Sequence, residues 1–314
     1  MTSSPAAPTS ATPSGHAPPA QTFDPKSDPL LSAHYNTEWQ SFLHSPASTA
    51  TSTPTSSAAD WVSQLDLTHT RTFLQQQLSA TQPPAEPPRV LVLYGSLRPT
   101  AYSRRLALEF ARVLTALGAH VLVYHPHALP LHSSALSPVP PAAVELRQLA
   151  YWSTAMVWVS NEQHGGISGV MKNQIDWIPL YEQGGRSPTE GKMLAVAQVN
   201  GSGQSYNACN TLRLLGRWLR MVVLPAQSSI AQCHYEFDGE GRLKAGVHRE
   251  RLVDVSEELV KATAVLSRYA RDVFVDRYSV REEKRRKEEA AKQAENQKVT
   301  EANVDDSEGM KQKK

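Results

Sequence analysis

The sequence predicts an α/β fold over residues 89–278, a doubly wound five-stranded parallel sheet with helices on both faces. Three observations predict it: short β-branched and Leu-rich runs alternate with amphipathic segments, those runs are apolar throughout, and loops of small residues follow them. A strand covered on both faces has no polar side to show, so its run is continuous instead of alternating. The intervening helices supply the crossovers that parallel neighbours need.

Val90 to Tyr94 is the first such run. Ser103 to Leu117 has helical spacing and stops at Gly118, a residue suited to a helix end. Val121 to Tyr124 is a second short strand, and Ala142 to Tyr151 a helix leading into the strand Ala155 to Val159. Gly169 to Ile178 reads as helix, Met193 to Val199 as strand and Ser205 to Leu219 as helix. Val222 to Ile230 supplies the last strand, interrupted at Pro225. In the final helix, Leu252, Val255, Leu259, Ala262, Leu266, Tyr269 and Val273 step by three and four residues along one face. Periodicity leaves Rossmann-type and flavodoxin-type strand orders open, and the loops must decide between them.

Outside this region the composition changes. Residues 1–58 are rich in Ser, Thr, Pro and Ala, too poor in apolar surface to offset the entropy of ordering, so a disordered tail is expected. Phe23, Leu30, Leu31, Tyr35, Trp39 and Phe42 form an apolar island within it that can dock on a folded surface. Residues 59–88 read as an arm, with Trp61, Leu65, Leu67, Phe73 and Leu74 for contacts on its own domain or a neighbouring subunit. Residues 279–314 are highly charged but nearly balanced in sign, which suits a solvated helix with ion pairs between turns or a disordered tail.

The net charge of +2 gives no electrostatic footprint for nucleic acid. It also lacks the strong acidity of a flavodoxin-type electron carrier. Cys209 and Cys233 are too few for a disulfide framework and are not spaced as zinc ligands, so reduced thiols and no metal are expected. No apolar run approaches the ~18 residues of a membrane span, and the N-terminus lacks a signal-like layout. A cytoplasmic protein is the expectation.

Ligands of open α/β sheets sit at the carboxyl ends of the strands. The loop after the first strand reads Gly95-Ser96-Leu97-Arg98-Pro99-Thr100-Ala101-Tyr102-Ser103-Arg104. It matches neither the three-glycine dinucleotide fingerprint nor a P-loop. It offers hydroxyls, a guanidinium and a helix start, which together suit a terminal phosphate. Ser96 and Ser103 would donate to its oxygens, or else merely shape the turn and cap the helix.

The third strand opens into Ser160-Asn161-Glu162-Gln163-His164-Gly165-Gly166-Ile167-Ser168-Gly169, continuing through Lys172-Asn173-Gln174-Ile175-Asp176-Trp177-Ile178-Pro179-Leu180. The fourth ends in Asn200-Gly201-Ser202-Gly203-Gln204-Ser205-Tyr206-Asn207. Loops this small allow a flat ring to approach the backbone. Lys172, Asn173 and Asp176 read as helix braces, and Trp177 as a packing residue.

These three segments resemble the ArsH arsenical-resistance branch of the NADPH-dependent FMN reductases. Gly95-Ser96-Leu97-Arg98 with Ser103 is similar to the family's phosphate loop, and 162–180 follows its third-strand loop nearly residue for residue. The resemblance runs from about Trp61 to Tyr278, and departs at Ala101, usually Ser, and Asn161, commonly Pro. It implies a flavodoxin-like sheet of order 2-1-3-4-5 and an FMN held by Ser96, Leu97, Arg98, Ser103, Glu162, Gln163, His164, Gly165, Gly201, Ser202, Gly203 and Gln204. It further implies a homotetramer in which NADPH delivers hydride to flavin N5 and electrons then pass to an acceptor. Acceptors of such enzymes include quinones, azo compounds, dioxygen and, for this branch, chemistry that oxidises trivalent organoarsenicals. The flavin carries that chemistry, so no catalytic side chain is expected. Arg104, Arg105 and Arg186 are candidates for the NADPH 2′-phosphate. A general quinone or azo reductase is the alternative enzyme; an FMN electron carrier or a flavin-loaded scaffold is the non-enzymatic one.

Overall fold

The computed structural model describes residues 60–81, 85–180 and 187–273, with 281, 284–285, 287–289 and 291–293 beyond them. The apolar island of residues 23–42, the rest of the N-terminal tail, most of the C-terminal tail and Arg186 lie outside the described residues.

Six strands form the sheet: β1 (Arg89–Tyr94), β2 (His120–Val123), β3 (Ala155–Gln163), β4 (Gly166–Ile167), β5 (Met193–Val199) and β6 (Val222–Ile230). The path is β2-β1-β3-β5-β6, with every neighbour on it parallel, and β4 folds back antiparallel on the end of β3. The five long strands therefore stand in the order 2-1-3-4-5. The principal helices are α1 (Thr68–Ser79), α2 (Tyr102–Ala116), α3 (Pro141–Trp152), α4 (Gly169–Trp177), α5 (Asn207–Trp218) and α6 (Val247–Leu266).

Alternate strand residues sort to opposite faces, as the period of two requires. Val90, Val92, Val157, Ala195 and Ala197 pack with Leu106, Phe110 and Leu114 of α2 and with Leu252, Val255 and Leu259 of α6. Leu91, Leu93, Met156, Trp158, Leu194 and Val196 pack with Leu146 and Leu149 of α3, Met171 and Ile175 of α4, and Leu212 of α5. Both faces of the sheet are thus covered, which is why its strands read as unbroken apolar runs.

The arm lies on its own domain. Val62, Leu67 and Leu74 join the same core as α2 and α6. Asp60 accepts from Arg112 and Arg242, whose other partner is the fully buried Glu109. Thr70 Oγ1 donates to Glu257 at 2.7 Å and so fastens α1 to α6.

Three elements depart from the sequence reading. The final helix is interrupted: it runs to Leu266, turns over 267–269 with Arg268 bonding the Val265 and Ala264 carbonyls, and resumes as a short helix over Ala270–Val273. β3 runs four residues past Val159 because β5 pairs Ser160 and Asn161 and a hairpin pairs Glu162 and Gln163. Pro225 does not end β6: the register passes from Leu194↔Val223 to Val196↔Gln227, so the proline sits in a bulge on an edge strand, where its missing N–H costs no ladder bond. Arg213 of α5 secures that bulge, donating to Gln227 Oε1 at 2.6 Å and to the Leu224 and Pro225 carbonyls at 2.7 Å. In the described part of the C-terminal tail, Arg285 pairs with Glu289 at 3.2 Å, one helical turn apart.

Candidate functional site

The carboxyl ends of β1, β3 and β5 meet beside the start of α2. Gly95 makes this junction possible by its size. A Cβ there would lie 2.5 Å from Ser168 Oγ and 3.2 Å from both Met171 Cβ and Ser160 Oγ. Ser168 occupies that space because it is the N-cap of α4: its Oγ accepts from Met171 N at 3.2 Å and donates to Gly95 O at 2.7 Å. Gln174 Nε2 adds a bond to Tyr94 O at 2.9 Å, so the floor beneath the β1 loop is held from below by α4.

Above this floor lies a cleft of about 290 Å³. One wall is Ser96, Arg98, Ala101, Tyr102 and Ser103; the strand ends supply Asn161, Glu162, Gln163, Val199, Asn200 and Gly201; Cys233 and His234 close the far side. Six of the sequence-predicted residues are thereby brought together: Ser96, Arg98, Ser103, Glu162, Gln163 and Gly201. Leu97 is adjacent but 46 % exposed.

The chemistry of the wall is graded. The N-cap of α2 is Ala101, so no side chain caps its first amides, and their partial positive charge faces the cleft. Ser103 in the first turn is 1 % exposed, and its Oγ has no hydrogen-bond partner among the described residues. It is therefore not the helix cap that one reading of the sequence allowed. Arg98 stands exposed at the rim, its backbone N–H held by Ser96 Oγ at 3.3 Å. Bare helix amides, an unpaired hydroxyl donor and a guanidinium at one end suit a phosphate dianion.

At the strand ends the unpaired atoms are acceptors. Asn200 is 6 % exposed; its Nδ2 donates to the Ser202 and Gly203 carbonyls, at 3.2 and 2.6 Å, which fixes the amide and leaves Oδ1 without a partner. Asn161 Oδ1 is likewise buried and unpartnered. Two acceptors here match a ligand that carries hydroxyl or ring N–H donors beyond its phosphate. A flavin mononucleotide has that polarity, so the residues present fit the group.

The loop after β3 differs from the Gly-rich loop expected. Glu162 pairs with Ile167 and Gln163 with Gly166, joined by His164 and Gly165 with φ of 49° and 76°. Two successive positive φ values are the mark of a tight two-residue hairpin, which needs little more than a glycine at the second position. His164 and Gly165 form an exposed tip and are not among the residues lining the cleft. Nor are Ser202, Gly203 and Gln204, although they are exposed just beyond Gly201. Gln204 Nε2 is bonded to Ser229 Oγ at 3.1 Å and ties its loop to β6. A Cβ at Gly201 or Gly203 would meet nothing within 4 Å, so the fold itself does not demand glycine at either place.

Sequence reasoning missed Asn200, Cys233, His234 and Gln198. The loop after the last strand carried a signal in its position at a carboxyl strand end, but no small-residue motif marked it. Cys233 N and Gln232 N donate to Asn200 O and Ser202 O, each at 3.0 Å, and Gln232 adopts φ 45° to do so. Burial pushes the Cys233 thiol up to about 11 and the Cys209 thiol up to about 12, so both are neutral and unreactive near pH 7. Among the described residues no cluster of His, Cys, Asp or Glu is placed to hold a metal ion. Lys172 pairs with Asp176 at 2.6 Å, and Asn173 Nδ2 and Trp177 Nε1 both donate to Pro130 O. These residues brace α4 against the loop after β2, away from the cleft.

A doubly wound sheet of order 2-1-3-4-5, with a phosphate-seeking loop after its first strand and acceptors at the next two, defines a flavodoxin-like flavin-nucleotide-binding protein. Residues 88–235 match the NADPH-dependent FMN reductase family. The chain is 53% identical over 197 residues to the NADPH-dependent FMN reductase ArsH of Rhizobium meliloti (strain 1021), an alignment spanning 62% of this chain and 80% of that protein. It is 52% identical over 198 residues to the ArsH of Acidithiobacillus ferrooxidans, spanning 63% and 82%. With that of Shigella flexneri it shares 51% over 199 residues, spanning 63% and 77%. The chain belongs to the NADPH-dependent FMN reductases of the ArsH type, and its cofactors are FMN and NADPH.

Proposed function

We propose that this enzyme couples NADPH oxidation to the oxidation of trivalent organoarsenicals, with dioxygen as the oxidant. For methylarsenite the sum is CH₃As(OH)₂ + NADPH + H⁺ + O₂ giving CH₃AsO(OH)₂ + NADP⁺ + H₂O. Arsenic and NADPH each lose two electrons, and dioxygen takes all four. Bound FMN supplies the redox chemistry, accepting hydride from NADPH. The protein's part is to bind, orient and tune.

In this reading Ser96, Leu97, Arg98, Ser103 and the first amides of α2 hold the phosphate. Glu162, Gln163, His164 and Gly165 border the ring from β3, and Gly201, Ser202, Gly203 and Gln204 from β5. No side chain is asked to act as nucleophile or general base. The observation that carries the reading is the buried, unpaired Ser103 Oγ beside uncapped helix amides, a set of donors that an anion in the cleft would satisfy. The arsenical comes from the resemblance to arsenical-resistance reductases.

The functional unit in this proposal is the 89–278 domain with its 59–88 arm, assembled as a homotetramer in the cytoplasm. Among the described residues no helix is long and apolar enough to cross a membrane. A visible spectrum before and after anaerobic NADPH tests the first half: flavin bands that bleach support it, and a protein that cannot be loaded with FMN ends it. Arsenic speciation after aerobic turnover tests the second. Methylarsenate formed in step with NADPH consumption is expected; turnover of quinones with methylarsenite untouched would make the enzyme a general quinone reductase.

A further inference from the structure

We propose that Gln198 is a positioning residue that holds the Glu162 carboxylate in the cleft and thereby sets the redox balance of the bound flavin. The inference rests on the flavin reading above.

Gln198 is fully buried near the end of β5, in a strand otherwise made of Met, Leu, Ala and Val. A buried primary amide costs free energy unless its donors and acceptor are bonded. Here they are, and each bond goes to a different element. Oε1 accepts from Cys209 N at 2.9 Å, in the first turn of α5. Nε2 donates to Ser205 O at 3.0 Å, in the loop between β5 and α5. It also donates to Glu162 Oε2 at 2.8 Å, near the end of β3. The Cys209 N–H can meet only an acceptor, so the amide orientation is fixed and Nε2 must face the carboxylate.

Glu162 lines the cleft and forms no ion pair among the described residues. It is half-buried, so without the Gln198 bond its side chain is free to turn to solvent. Held in place, the carboxylate accepts from a ligand N–H or O–H. It also opposes the negative charge that gathers on the ring upon reduction. A fixed carboxylate therefore favours oxidised over reduced flavin and makes the bound cofactor a stronger reductant. A residue that only packed the strand would do neither.

The test compares the full-length wild type with Gln198→Leu, Gln198→Glu, Glu162→Gln and the Gln198→Leu/Glu162→Gln double variant. FMN is titrated into each apoprotein by fluorescence quenching, the midpoint potential is read against a reference dye, and melting is followed without flavin. Glu162→Gln and Gln198→Leu are each expected to weaken FMN binding about tenfold. Each should also shift the preference toward reduced flavin about tenfold, or about +30 mV for the two-electron couple. In the Glu162→Gln background, Gln198→Leu should add less than about twofold, the non-additivity of residues acting through one contact. Gln198→Glu sets two carboxylates together, so its FMN affinity should recover on going from pH 8 to 5.5, a dependence the wild type lacks. This nearly isosteric variant carries the test if Gln198→Leu does not fold. Variants that change melting alone, or effects that multiply independently of Glu162, would overturn the inference. A wild type that takes up no FMN would instead overturn the flavin reading.

Discussion

Replacing Gly95 by alanine tests the junction on which the cleft is built. The added Cβ would lie 2.5 Å from Ser168 Oγ, with Met171 Cβ and Ser160 Oγ at 3.2 Å. Gly95 is not among the residues with positive φ, so the cost is steric and not a matter of backbone strain. Ser168 cannot simply rotate away, since its Oγ holds both Gly95 O and Met171 N. Losing that cap costs about 1 kcal/mol. The buried hydrogen bond to Gly95 is worth about another 1 kcal/mol. Overpacking adds about 1–3 kcal/mol. A stiffer unfolded chain returns about 0.4–1 kcal/mol. The net is about 2–5 kcal/mol, which for a domain of this size lowers Tm by roughly 4–20 °C. Because the same contact fixes the β1 loop, FMN affinity should fall about 10–100-fold. Thermal melting of the apoprotein and a flavin titration read both effects. Adding Ser168→Ala removes the nearest obstructing atom, so the double variant should lose less than the sum of the two singles. A Gly95→Ala protein with Tm within about 2 °C of wild type and Kd within about twofold would refute the argument.

Three further substitutions separate binding from folding. Ser103→Ala removes an unpaired buried hydroxyl, so apoprotein melting should hold or rise while FMN affinity falls about 10-fold or more, for a bond to a charged group; unchanged affinity would detach Ser103 from the phosphate. Gly201→Ala meets nothing within 4 Å, so stability should stay within about 0.5 kcal/mol in urea melts, and any loss of FMN affinity then reports the ligand's approach. Burial, offset in part by Arg242, pushes the Glu109 carboxyl from 4.5 up to about 7. The folded state therefore keeps a proton that the unfolded chain releases, so this group's contribution is full below pH 4.5 and declines as pH rises through 7. Urea midpoints between pH 4.5 and 7.5 should fall less steeply in Glu109→Gln than in wild type, and parallel slopes would argue against the assignment.

Much of this fold is legible in the sequence because the signals are local and redundant. Val90 to Tyr94 and Met193 to Val199 need no partner to declare themselves as doubly covered strands, and five such runs between helices leave few topologies. What is not legible depends on pairing across the sheet. The end of β3 reads as loop because Asn161, Glu162 and Gln163 are polar; pairing with Val199 of β5 makes Asn161 strand, and the return of Gly166 and Ile167 does the same for Glu162 and Gln163. Pro225 reads as an interruption because nothing at 222–230 announces that Arg213 will bond the carbonyls of a bulge. The phosphate loop was readable for the opposite reason: Ser96, Arg98 and Ser103 are set by a strand and a helix start only eight residues apart.

Three of the residues missed at the cleft, Gln198, Asn200 and Cys233, draw their meaning from bonds to other segments, Asn200 N to Ile230 O and Cys233 N to Asn200 O among them. Gln198 looks like a polar flaw in an apolar strand until Glu162, Ser205 and Cys209 are seen around it. Asn200 looks like the first residue of a turn, which it also is, since its Nδ2 closes that turn on Ser202 and Gly203. Its other half, Oδ1, is left buried and unpaired, as are Asn161 Oδ1 and Ser103 Oγ on two other residues that line the cleft. Folding tolerates an unpaired buried polar atom at a cost of about 1–3 kcal/mol. Three on residues lining one cleft, a hydroxyl at the helix end and two carbonyl oxygens at the strand ends, are a cost that a ligand with matching groups would offset. Their order along the cleft, donor and then acceptors, runs in the sense of a phosphate followed by hydroxyl and ring N–H groups, and bound FMN is what would offset it.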